Sequence, residues 1–263
     1  MGTPEAHEPG VAPVAAGVAG GPGVAGGPGG PGGGHYFSAS PAVPSRPRTV
    51  RLTLPDLSLD LVTDRGVFSG DAVDPGTKLL LATVPAPSPA GGGDGPGGGG
   101  GPGGCGGAVD VLDLGCGYGA VAVTVARRAP GATVWAVDVN ERALALTAEN
   151  AGLAGCADRV RAVTPEEVPP GVRFAAVYSN PPIRIGKDAL HRLLSQWLGR
   201  MAAGGSAWLV VHKHLGSDSL ARWLEGEGFT VRRLVSQMGY RVLEVRAGSG
   251  EAPVVGGRPG AGS

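Results

Sequence analysis

"VLDLGCGYGA", residues 111 to 120, joins an apolar run to three glycines set two apart and then to small residues. The run "AVDVLDL" has the continuous apolar character of a strand buried on both faces. The following "AVAVTVARRA" keeps its apolar positions on one helical face until Pro130-Gly131 stops it. Gly115, Gly117 and Gly119 permit a tight strand-to-helix turn and let a ligand approach the backbone, with a helix N-terminus behind them. The next strand ends in "VDVN", which puts Asp138 nineteen residues beyond Gly119. A carboxylate there can accept hydrogen bonds from both hydroxyls of a ribose. Loop and acid together point to an adenosine-type cofactor.

The same rhythm continues on both sides. "TVWAVDV", "RVRAV", "FAAVYS" and "SAWLVVH" read as strands, and Asn140 caps the helix "ERALALTAENAGLAG". "DALHRLLSQWLGRMAAGG" reads as a helix closed by Gly204-Gly205, and "SDSLARWLEGEG" as another. Upstream, "TVRLTLPDLSLDLVT" (49 to 63) reads as a hairpin turned at Pro55-Asp56. Asp74 and Pro75 suit the N-cap and first position of a short helix over 74–85. Alternating strands and helices imply an α/β fold with a mostly parallel, doubly wound sheet. "TVRRLVSQ" and "YRVLEVRA" are separated by only two residues, so the last strand pair must be antiparallel.

Composition sets the limits. The 263 residues include 50 glycines and 24 prolines, concentrated at 1–34, at 88–107 and from 248 to the end. Such segments bury too little apolar surface to offset chain entropy and read as disordered tails and a flexible insertion. A single domain over 35–247 then keeps roughly 190 residues for its core. The 22 basic and 22 acidic residues balance, so no global field draws in nucleic acid. Arg46, Arg48 and Arg51 form a local basic cluster, readable as a binding patch or as a solvated strand face. Cys105, Cys116 and Cys156 have no partners at metal or disulfide spacing, and no apolar run is long enough to span a membrane. A soluble cytoplasmic protein without a metal is the expectation.

The loop D-x-G-x-G-x-G, opened by Asp113, resembles motif I of class I S-adenosylmethionine-dependent methyltransferases. That resemblance implies a seven-stranded Rossmann-like sheet with an antiparallel C-terminal strand pair, here preceded by the small hairpin and helix. It puts S-adenosylmethionine on Asp113, Gly115, Cys116, Gly117, Gly119, Asp138, Val139 and Asn180, with Asp113 ordering the loop or meeting the methionine amino group through water. "SNPPI" (179 to 183) resembles the [N/D]-P-P-[Y/F/W] motif of enzymes that methylate a planar nitrogen. The lone pair of such a nitrogen is delocalised and weakly nucleophilic. The Asn180 side-chain oxygen and the Pro181 carbonyl can each accept one of its N–H bonds, aiming the lone pair at the methyl carbon. Pro182 stiffens the carbonyl's direction, and Ile183 completes the catalytic stretch.

"HYFSASP", "DRGVFSGDAVDPGTKLLL", "VLDLGCGYGAVAV", "DVNERALALTAENA" and "SNPPIRIGK" together resemble the small-domain methyltransferases related to ribosomal small-subunit RNA guanine-N2 methyltransferase. The resemblance implies RNA as partner, methylated at an exocyclic base amine. It places Val67 and Phe68 beside the target base, and Arg184 and Lys187, with Lys213 as a further candidate, near phosphates. Two positions depart from the pattern. Ile183 replaces the usual aromatic, and Thr164 or Glu166 must stand in for the acid that usually meets the adenine amine. A protein glutamine-amide methyltransferase and a non-catalytic cofactor-binding assembly factor are the alternatives. The first usually carries tyrosine at the Ile183 position.

Overall fold

The computed structural model describes residues 43–84, 87 and 109–247. The tails at 1–34 and 248–263, the stretch 88–107, "HYFSASP" and Cys105 lie outside the described residues. The hairpin consists of β1 (Arg48–Thr53) and β2 (Ser58–Thr63), and α1 (Pro75–Thr83) follows. Then come β3 (Val109–Leu114), α2 (Ala120–Arg128), β4 (Ala132–Val137), α3 (Glu141–Leu153), β5 (Val160–Val163) and β6 (Phe174–Ser179). The chain closes with α4 (Lys187–Leu198), β7 (Met201–His212), α5 (Ser217–Gly226), β8 (Phe229–Gln237) and β9 (Tyr240–Ala247).

Seven strands form the main sheet in the order β5-β4-β3-β6-β7-β9-β8. Strands β3 to β7 run parallel, and β9 is antiparallel to both of its neighbours. The chain winds outward from β3 to β5, then returns and winds the other way from β6. That reversal puts the topological switch point between β3 and β6, where open α/β sheets bind ligands.

Alternation along the strands divides the core into two clusters. Val111, Val134, Ala136, Ala176, Tyr178 and Val242 face the hairpin, α1, α2 and α3. Leu112, Leu114, Val137, Val177, Leu209 and Val245 face α4 and α5. One aromatic pair sits in each: Tyr178 and Trp208 at 5.1 Å, Phe174 and Trp197 at 6.1 Å. Removing a ring as buried as that of Trp197 costs about 3–5 kcal/mol in comparable cores.

One expected boundary is wrong. The helix read up to Gly204-Gly205 ends at Leu198, and Met201–Gly205 opens β7 instead. Met201 pairs with Phe174, and after a register shift Ser206 pairs with Ala176. Pairing with a central strand satisfies backbone groups that a longer helix would leave at the sheet edge. The glycines serve the bulge: Gly204 has φ +75°, and a Cβ on Gly205 would lie 2.9 Å from the carbonyl oxygens of Ala202 and Phe174.

Within the basic cluster, Arg48 and Arg51 take the strand-face reading, while Arg46 precedes β1 and is bonded through its backbone N–H. Arg51 grips both Asp60 oxygens at 2.7 and 2.8 Å, Arg48 pairs with Asp71, and the Arg46 N–H donates to Asp64. Among the described residues, no helix is long and apolar enough to cross a membrane.

Candidate active site

Strand register assembles the site. Leu114 pairs with Val137 on one side and with Ser179 on the other, so β3, β4 and β6 end level. The Ser179 hydroxyl donates to the Leu114 carbonyl at 2.7 Å, and the Gly115 and Cys116 N–H groups donate to Val137 O at 2.8 and 3.1 Å. The glycine loop, Asp138 and Asn180 therefore emerge side by side at the carboxyl edge. A cleft there is lined by residues that include Phe68, Ser69, Asp74, Thr77, Asp113, Gly115, Gly117, Tyr118 and Asn180. A more open depression between Asp56, Val84 and Arg127 lies at the far end of α2 from the glycine loop.

The three glycines do different work. All have positive φ, at +76°, +56° and +85°. A Cβ on Gly115 or Gly117 would meet nothing within 4 Å, whereas one on Gly119 would lie 2.9 Å from the Thr147 side chain. The first two leave backbone open toward the cleft, and the third lets α2 pack against α3. Asp113, buried, accepts the Ala122 N–H at 2.9 Å and so orders the first turn of α2. Burial pushes its carboxyl up to about 7; the Ala122 bond opposes this, and the negative charge of Asp138 adds to it.

Asp138 stands behind the loop, its oxygens accepting from Gly117 N at 2.9 Å and Asn140 N at 3.0 Å. Burial also raises its carboxyl. The Val139 N–H is a further backbone donor to it, and with about four lone-pair sites the carboxylate keeps acceptor capacity for a ribose hydroxyl. Open backbone at two glycines and an acid with spare acceptors fit S-adenosylmethionine. Val139 is half-exposed beside the acid. Burial pushes the Cys116 thiol well up, and its Sγ lies 3.6 Å from Thr147 Oγ1, so its side chain is tucked between the loop and α3.

Asn180 donates through Nδ2 to Asp74 Oδ1 at 2.8 Å and to Thr77 Oγ1 at 3.1 Å. That leaves its Oδ1 as the acceptor on the opposite side of the amide. Pro182 has φ −74° and ψ 72°, an inverse γ-turn in which Ile183 N donates to Pro181 O at 2.8 Å. The turn fixes the carbonyl rigidly but occupies one of its two lone pairs, which the sequence reading did not anticipate. The Ile183 side chain packs against the α4–α5 core cluster. Arg184 and Lys187 are exposed on the next turn and at the start of α4.

Val67 is buried in the core, while Phe68 is 48% exposed and lines the cleft. Their connector is held from α3: Asn140 Nδ2 donates to Gly66 O at 2.8 Å, and Arg142 donates to the Arg65 carbonyl at 2.6 Å. Thr164 is tied up in a capping box with Glu167, its N–H donating to that carboxylate at 2.7 Å; Glu166 is exposed beside it. Lys213 is exposed, and its N–H donates to Gly239 O at 2.7 Å. The sequence singled out Asp74 as a helix cap alone and overlooked Thr77, Thr147 and Tyr240. Nothing local marks Asp74 and Thr77 as the partners of Asn180, more than a hundred positions away.

This sheet, with its glycine loop and acid at the switch point, defines an S-adenosylmethionine-dependent methyltransferase. The family model described as "Methyltransferase small domain" matches residues 58–244, and the chain belongs to that family. It is 30% identical to the uncharacterized protein YbxB of Bacillus subtilis over 215 residues, 81% of this chain and 98% of that protein. It is 50% identical over 147 residues to the release factor glutamine methyltransferase of Gloeobacter violaceus (52% of this chain, 49% of that protein). It is 31% identical over 190 residues to ribosomal RNA small subunit methyltransferase C of Hahella chejuensis (70% and 48%). The chain thus spans about half the length of the named methyltransferases. Among solved structures, the T. thermophilus 16S rRNA N2 G1207 methyltransferase in complex with AdoMet and guanosine shares the fold. Its TM-score is 0.59 and its identity 23%, covering 79% of this chain and 52% of that one.

Proposed function

We propose that this chain methylates an exocyclic base amine of RNA, the N2 of a guanine in small-subunit ribosomal RNA. The observation that carries the proposal is the Asn180 amide, held through Nδ2 by Asp74 and Thr77 with its oxygen left to accept. A planar amine needs two acceptors, and Asn180 Oδ1 with the remaining lone pair of Pro181 O supplies them. They turn the nitrogen lone pair outward and stabilise the positive charge that develops on it. When bound, S-adenosylmethionine supplies an electrophilic methyl group. Asp138 would hold its ribose, and the Gly115–Gly117 backbone its remaining length. The proton leaves to water, because a methylated ammonium-like nitrogen is acidic and needs no strong base. Phe68 offers a face on which a splayed base can stack, and Arg184 and Lys187 offer charge to phosphates. RNA as substrate is further supported by the Hahella relative.

A glutamine amide presents the same planar N–H₂, and the Gloeobacter relative favours it as the second reading. Against it stands Ile183, a half-buried aliphatic packed against the α4–α5 cluster where an aromatic would flank the substrate.

The test uses labelled S-adenosylmethionine with separate RNA and protein fractions from cells lacking the protein, followed by mapping of the modified group. Label on a guanine of small-subunit RNA is expected; label on a glutamine of the protein fraction would replace this reading with the second. Asp138→Ala should lose cofactor binding by calorimetry. Asn180→Ala should retain it while transfer falls about a hundredfold, as when one preorganised polar contact is removed.

A further inference from the structure

Asp74 caps α1, its Oδ1 accepting the Thr77 N–H at 2.8 Å. The same oxygen accepts Asn180 Nδ2 at 2.8 Å, and Oδ2 accepts the Tyr240 hydroxyl at 3.2 Å. The residue is only 8% exposed, and α1, β6 and β9 meet on it. A helix cap alone requires neither of the last two contacts. Gly76 adds an independent sign that the junction is built: a Cβ there would lie 2.6 Å from the Tyr240 ring and 2.9 Å from Asp74 Oδ1. Glycine at this position leaves the first turn of α1 open to that ring.

We propose that Asp74, braced by Tyr240, is the positioning residue that decides which way the Asn180 amide lies. This rests on the reading of Asn180 as an acceptor for the target amine. An asparagine amide has two orientations of similar shape and opposite polarity. The Asp74 carboxyl oxygens accept the Thr77 N–H and the Tyr240 hydroxyl, and against those acceptors Asn180 turns Nδ2 toward them and Oδ1 away. With the amide reversed, an N–H₂ would face the substrate N–H₂, donor against donor, and the nitrogen could not be oriented.

Asp74→Ser separates this role from capping, because serine caps a helix about as well as aspartate but is one atom too short to hold Asn180. The substrate is small ribosomal subunits from cells lacking the protein, with labelled S-adenosylmethionine. The expected result is a kcat lower by about tenfold to a hundredfold, at a KM changed by less than about twofold. The calorimetric cofactor affinity should stay at the wild-type value, and the thermal midpoint should fall only by the few degrees that the Tyr240 and Asn180 donors, left without Asp74, cost. The Asn180 side-chain amide signal in a ¹H–¹⁵N spectrum, identified by its loss in Asn180→Ala, should move. In the Asn180→Ala background, Asp74→Ser should cause no further loss. Wild-type activity in Asp74→Ser beside an inactive Asn180→Ala overturns this inference alone. A loss that adds in full to that of Asn180→Ala also overturns it, by making Asp74 a fold residue. An active Asn180→Ala overturns both this inference and the reading it rests on.

Discussion

At the residue scale, Gly117 and Gly119 look equivalent in sequence and are not. Both hold positive φ, but only at Gly119 would a Cβ strike a neighbour, the Thr147 side chain at 2.9 Å. Gly119→Ala therefore adds overpacking, about 1–3 kcal/mol, to the cost of left-handed backbone, about 1–2 kcal/mol. Gly117→Ala carries only the backbone cost and instead places a methyl group on the cofactor's side of the loop. Urea unfolding should show Gly119→Ala as the less stable variant by at least about 1 kcal/mol. Calorimetry should show Gly117→Ala losing cofactor affinity while still folded. Equal destabilisation by the two would remove the division of labour drawn here. The same contrast shows how much of a motif is legible: the spacing announces a turn, but only the neighbours say which glycine serves the ligand and which the packing.

At the scale of elements, one buried side chain on α3 clamps the edge of the hairpin. Asn150, on α3, accepts the Val62 N–H at 2.7 Å, donates to Val62 O at 2.8 Å and donates to Tyr118 O at 2.8 Å. It pairs with the edge of β2 as a neighbouring strand would, and the third bond ties that edge to the glycine loop. Asn150→Ala would leave these backbone groups unpaired, at a cost of about 2–4 kcal/mol. Hydrogen exchange at the Val62 amide should accelerate well beyond that of the β3 amides. If β2 kept its protection, the clamp would lie elsewhere. Sequence patterning found the hairpin and α3 correctly, since each is coded by local periodicity. It could not find the clamp, because an asparagine inside a helix reads as an ordinary polar position until its partner is known.

For the whole molecule, both core clusters among the described residues are drawn from Val50 to Val245. Residues 1–33 are too rich in glycine and proline to bury much apolar surface, so removing them should leave the thermal midpoint within about 2 °C, less than a change of 1 kcal/mol would produce. A larger fall would mean that the N-terminal segment covers apolar surface. The sequence by itself determined the α/β class, the glycine loop with its acid, and the N-P-P stretch, because periodicity, turn chemistry and motif spacing are local properties of the chain. It misjudged Met201–Gly205, whose helical composition yields to pairing with Phe174 and Ala176 in β6. It left open whether the Arg48 and Arg51 charges were a patch or paired, since Asp60 and Asp71 are brought to them by folding. Only the tertiary structure brought Asp74, Tyr240 and Asn180 together. Their mutual orientation depends on strand order and register, and those are settled by burial of the two sheet faces rather than by any neighbouring residue.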